Sequence, residues 1–127
     1  MLAAIRSVCL SADHAVIRGV YIDHGVTLQS ARYVDYSIPR AIIRRADSVA
    51  ATNVNTAWVT NLPNDAAIIE TYVLEFRSRG VEIVAGSGHW YAGARPAATQ
   101  VATVTSLHSS LPNDARPWRW SLGDETT

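Results

Sequence analysis

The sequence predicts a single α/β domain, residues 1–127, with a mixed sheet: N-terminal antiparallel strands, then an α-β-α-β run, then one or two C-terminal strands. Two observations carry that prediction. Residues 56–86 read as strand, cap, amphipathic helix and strand, and a unit of that length makes a right-handed crossover between parallel strands. Residues 3–37 offer β-rich runs whose connections are too short for crossovers, so they are expected to pair antiparallel.

In the N-terminal third, residues 5–10 alternate loosely before a turn at Ser11-Ala12-Asp13-His14. Residues 15–22 form a stronger run that Asp23-His24-Gly25 closes as a second turn. Residues 26–36, with Val26, Leu28, Tyr33 and Val34 among polar neighbours, read as a third strand. Ser37-Ile38-Pro39 then opens a helix, because proline in a first turn has no N–H to leave unpaired. Ile42, Ile43, Ala46, Val49 and Ala50 give that helix its apolar stripe.

The crossover helix has the clearest signature. Ile69, Tyr72, Val73 and Phe76 fall at i, i+3, i+4 and i+7 and share one face. Asn64 or Asp65 supplies the N-cap, Arg77 and Arg79 suit the negative end of the dipole, and Gly80 stands where a left-handed residue ends a helix. Residues 87–96 are a Gly-rich aromatic loop, residues 100–107 alternate as an edge strand would, and residues 117–122 suit a short last strand. Leu-Pro-Asn-Asp occurs at Leu62 and again at Leu111, with unlike sequences after it, which is shared turn chemistry and not an internal repeat.

Composition excludes several functions. Hydrophobic residues make up 48% and charged ones 17%, the proportions of a chain with a real core. Eleven basic and eleven acidic residues cancel, so no global field favours nucleic acid or an anionic membrane. All the basic residues are arginine, which rules out lysine nucleophiles and the phosphate-binding P-loop. The lone Cys9 allows neither an internal disulfide nor a cysteine zinc site and reads as a small core residue. No targeting signal or membrane-length apolar window stands out, so a soluble cytoplasmic protein is expected.

Candidate chemistry gathers where the parallel strands end, since ligands of open α/β sheets collect beyond the carboxyl ends. That rim is expected to hold Asn61, Ser87, Trp90 and Arg95 as ligand-binding residues and Asp23 and His89 as reactive groups. Backbone N–H groups near Gly86 and Gly88, with Arg95, would suit a small polar or anionic ligand. Arg40, Arg44 and Arg45 form a basic cluster that, beside Asp47, reads as a solvated helix face. The histidines have no metal-ligand spacing, and no metal or cofactor is expected. Trp118 and Trp120 would share a strand face with Arg119 opposite, a surface suited to a homo-oligomer.

The element order is that of the ribonuclease H-like group, and residues 20–25 look like that group's first strand, with Asp23 and then Asp47 as acids. Thr60-Asn61 stands where its next carboxylate is needed, so a metal-dependent nuclease is not expected. The set Asp23-His24-Gly25-Val26-Thr27, Thr60, Arg95 and Gly123-Asp124 resembles the haloacid-dehalogenase-type phosphatases. That resemblance implies Asp23 as a nucleophile, with Thr60 and Arg95 standing for the family's Thr or Ser and its basic residue, and Gly25 departing from the acid that would protonate the leaving group. The expected function is therefore a ligand-binding or protein-interaction module that self-associates. The alternative is a small hydrolase of polar or phosphorylated small molecules.

Overall fold

A computed structural model of the chain describes residues 16–86 and 97–122. Its elements in order are β1 (Gly19–Asp23), α1 (His24–Ser30), a π-helical turn (Ala31–Asp35) and α2 (Ile38–Ala50). There follow β2 (Thr56–Thr60), α3 (Ala66–Arg77), β3 (Glu82–Gly86), α4 (Ala97–Ser110), a 3-10 turn (Asn113–Ala115) and β4 (Arg119–Ser121). The four strands lie in the order β1-β2-β3-β4, and every pair is parallel.

The class is α/β as expected, but the N-terminal antiparallel strands are not what the chain forms. Residues 26–36 are α1 and the π-helical turn, so β1 is followed by helix and reaches β2 by a crossover. The ribonuclease H-like order falls with them, because that order needs the antiparallel start. The physical reason is visible in the burial. His24, Thr27 and Ala31, at i, i+3 and i+7, face inward, while Val26, Leu28, Tyr33 and Val34 face solvent. The apolar residues that suggested a strand are on the outer side of a helix that buries His24, Thr27 and Ala31. Residues 100–107 are likewise helical, within α4, and bring Val104, Leu107 and then Leu111 to the core. The expected strand at residues 5–10 lies outside the described residues.

Other elements follow the sequence. Ser37 is extended, and its hydroxyl accepts from the Arg40 N–H as the cap of α2, with Pro39 in the first turn. Asp65 caps α3 by accepting from Ala67 and Ile68. Gly80 takes φ 78°, and the Val81 N–H reaches back 3.0 Å to the Phe76 carbonyl to close the helix end. Buried Asn55 gathers the strand starts: its side chain accepts from the Arg18 N–H and donates to the Val16 carbonyl, and its carbonyl accepts from Glu82.

Strand alternation then divides the sheet into two faces. The row Ile22, Val59, Ala85 and Trp120 looks toward the helices and joins Ile42, Ile69, Tyr72, Phe76 and Leu107 in one core. Same-handed crossovers between successive neighbours put the helices on a single face. The next row, Tyr21, Trp58, Val84 and Arg119, looks the other way, with the Tyr21 and Trp58 rings stacked at 5.3 Å.

Candidate functional site

The carboxyl-end rim brings two of the expected residues together. Asp23 ends β1 and caps α1: its Oδ1 accepts from the Gly25 N–H at 2.8 Å and from Asn61 Nδ2 at 3.1 Å. Asn61 follows β2 with φ 58°, a left-handed conformation that asparagine tolerates better than most residues, and this aims its amide across to β1. A Cβ at Gly25 would stand 3.1 Å from the same Asp23 oxygen, so the residue that departs from the phosphatase pattern is the one that makes room for the cap. The Thr60 hydroxyl donates to the Ile22 carbonyl at 3.3 Å. Ser87, His89, Trp90 and Arg95 lie outside the described residues.

Behind the rim, α1 turns a polar face into the protein. His24 is 1% exposed and its Nδ1 lies 2.7 Å from the Tyr72 hydroxyl on α3. In either tautomer Nε2 is left without a partner. Burial holds the imidazole below its ordinary pKa, against a smaller opposing pull from the Asp23 carboxylate. The Tyr72 phenol is pushed up to about 12 by burial, with Thr27 and the Arg45 charge pulling it down and Asp23 adding to the rise. Thr27, also 1% exposed, has its Oγ1 on the core side beside the Tyr72 hydroxyl, in a contact that lowers the phenol's pKa but falls short of good hydrogen-bond geometry. Two buried polar atoms without partners in one turn of helix require an explanation.

A cleft of about 230 Å³ opens beside that turn, between α1 with its π-helical continuation and α2. Thr27, Ser30 and Val34 line one wall at i, i+3 and i+7. Ala41, Arg44, Arg45 and Ser48 line the other with the same periodicity. Some of these groups are already engaged. Ser30 donates to Asp35 Oδ2 at 2.7 Å, Arg44 pairs with Asp35 at 3.6 Å, and Ser48 donates to the Arg44 carbonyl. Arg45 is not: among the described residues its guanidinium makes no hydrogen bond or ion pair, and its charge reaches the buried Tyr72. No family model matches this chain, and no curated protein or solved structure is significantly similar to it.

The arginine cluster thus divides. Arg44 and Arg45 reach a cleft, whereas Arg40 does not line it. Sequence reasoning missed this site because it needs residues 26–36 to be helical. Once they are, the spacing of Thr27, Ser30 and Val34 against Ala41, Arg44, Arg45 and Ser48 is the signal. Asp47 is bound to Arg79 at 2.7 Å. Among the described residues no three His, Cys, Asp or Glu side chains gather as metal ligands, and no helix is long and apolar enough to cross a membrane. The tail indoles also divide. Trp120 packs on the core and donates through Nε1 to His108 Nδ1 at 3.0 Å, while Trp118 is half-buried with the Arg119 guanidinium 4.5 Å over its ring.

Proposed function

We propose that the chain is an interaction module that self-associates through the outer surface of α1 and the π-helical turn. One observation carries this reading: the segment is inside out. Its polar His24 and Thr27 are buried, while Val26, Leu28, Tyr33, Val34 and Tyr36 are exposed, from 43% at Leu28 to 83% at Tyr36. Single exposed apolar residues need no account, but five exposed within eleven consecutive positions concentrate apolar surface on this segment, and such surface marks interaction sites. Tyr36 also holds φ 58°, which costs a non-glycine residue about 1–2 kcal/mol and keeps its ring outside. The tail indoles expected at the interface are a poorer surface, since Trp120 is committed to the core.

A second copy is the partner we propose, because a largely apolar surface on a chain of zero net charge needs no complementary field to meet itself. Sedimentation velocity tests it. The natural chain is expected to sediment as more than one copy, and a Leu28→Glu, Tyr33→Glu variant as one. A natural chain that stays single at every accessible concentration, or a variant that assembles equally well, overturns the proposal. Both side chains are exposed, so the variant is expected to keep the fold, which circular dichroism checks.

A further inference from the structure

We propose that the free edge of β1 pairs antiparallel with β1 of a second copy, joining four strands from each into one eight-stranded sheet. This rests on the self-association proposed for α1 and names the element that sets its symmetry and register.

The backbone leaves that edge open. β1 is an outer strand, paired with β2 on one side and with nothing among the described residues on the other. The Arg18 N–H donates to Asn55 Oδ1 and its carbonyl accepts from the Asn55 N–H, so both groups point toward β2. Strand groups alternate in direction. Val20 and Ile22 therefore bond toward β2, while Gly19 and Tyr21 aim their N–H and C=O groups away from the sheet. Such an unpaired row is a template for another strand unless proline, lysine or a bulge blunts it. Residues 19–23 contain no proline or lysine, and their register with β2 is unbroken.

The edge also continues the exposed surface of α1. Twelve large hydrophobic residues are exposed among those described, and eight of them fall within residues 16–36. Five are those of α1 and its continuation, and the other three are Val16, Ile17 and Tyr21, in and just before β1.

Side chains then select a second copy as the partner. A Cβ at Gly19 would meet only ordinary contacts, 3.7 Å from the Thr56 carbonyl oxygen and 3.8 Å from Ile17, and its φ is not left-handed. Neither packing nor backbone within one chain requires that glycine. Tyr21, on the same sheet face, is 72% exposed despite its stack on Trp58. An antiparallel two-fold centred on Val20 puts each Tyr21 opposite Gly19 of the partner subunit, a ring over an absent side chain. Gly19 and Tyr21 are also the outward-bonding residues, so this register lets them exchange N–H···O=C bonds in both directions. It sets Val16 and Ile17 of the partner subunit beside the end of β1, where α1 begins, and keeps both helical layers on one face of the joined sheet. An extended peptide would take the same hydrogen bonds, but a second copy supplies glycine and tyrosine to each other by symmetry.

The experiment uses the full chain with Cys9→Ala, so that an introduced thiol is the only one, under mild oxidation. In the proposed register the two copies of residue 20 form a non-hydrogen-bonded pair with Cα atoms about 4.5 Å apart, within disulfide reach. Val20→Cys is expected to link into a covalent pair. Leu74→Cys, exposed on α3 away from the edge, is expected to link slowly by collision alone. Gly19→Thr suits a strand better than glycine does, so it is expected to keep the fold. By standing where the ring must go, it is expected to weaken assembly in sedimentation by about tenfold or more. Equal rates of linkage for Val20→Cys and Leu74→Cys, or a Gly19→Thr chain that assembles as tightly as the natural one, would overturn the shared sheet. If Leu28→Glu, Tyr33→Glu yields single copies while Val20→Cys fails to link, the α1 surface stands and the β1 edge falls. A natural chain that stays single removes both.

Discussion

His24 Nδ1 and the Tyr72 hydroxyl meet at 2.7 Å with both side chains out of contact with solvent, and this polar contact joins α1 to α3 inside a largely apolar core. Their rings also pack edge to face at 5.5 Å, and Tyr72 leans on Phe76 at 5.9 Å. Tyr72→Phe keeps both ring contacts and removes one oxygen. The imidazole is then left with neither nitrogen paired, so the substitution is expected to cost about 1–3 kcal/mol despite being conservative in volume. Urea unfolding measures it, and a midpoint equal to that of the natural chain would mean that the contact does not stabilise the fold.

The same burial makes stability depend on pH. His24 titrates below its ordinary value of 6.5 in the folded chain, with burial as the main cause. The unfolded chain therefore takes up this proton first as pH falls, and protonation favours unfolding. The contribution of neutral His24 is full above the unfolded pKa. It is lost progressively as pH falls below 6.5 toward the folded value. Urea midpoints from pH 8 to pH 5 are expected to fall more steeply for the natural chain than for His24→Gln, which cannot titrate there. Parallel curves for the two proteins would show that burial does not shift His24.

The contrast between α3 and α1 explains what the sequence disclosed. In α3 the apolar residues Ile69, Tyr72, Val73 and Phe76 are the buried ones, so periodicity, cap and Gly80 all report the same helix. In α1 the buried positions are His24 and Thr27 and the apolar ones are outside, so a rule that equates apolar with inward selects the wrong period. That single inversion turned a crossover into a meander and changed the sheet from parallel to mixed. The rim was easier to find. Asp23 and Asn61 stand at strand ends, where any parallel sheet collects its polar groups, and they touch. The cleft was not legible, because its two walls come from the misassigned segment and from α2. Arg44 and Arg45 are adjacent in sequence, but only the partner wall distinguishes a site from a solvated face.

Arg77 joins three parts of the chain that sequence reasoning treats separately. Its Nε and Nη2 donate to the Glu82 carboxylate, the shortest bond being 2.9 Å, which ties the end of α3 to the start of β3. Nη1 donates to the Asp114 carbonyl and Nη2 to the Arg116 carbonyl, both at 2.8 Å, holding the segment that leads into β4. The ion pair is partly exposed and contributes little by itself. The carbonyl bonds matter more, because they hold the backbone that leads into β4, a strand only three residues long. Lysine keeps the charge but has one nitrogen where the guanidinium has a rigid fork, so it cannot serve a carboxylate and two carbonyls in these directions. Arg77→Lys and Arg77→Ala are therefore expected to destabilise the chain by similar amounts, about 1–3 kcal/mol, and Glu82→Gln by less. The loss should also be local, with cleavage by a protease rising first within residues 112–121. Raising the salt concentration should leave most of the Arg77 contribution in place. If lysine restores the natural midpoint, or if high salt abolishes the difference between Arg77 and Ala, the charge and not the fork holds β4 in the sheet.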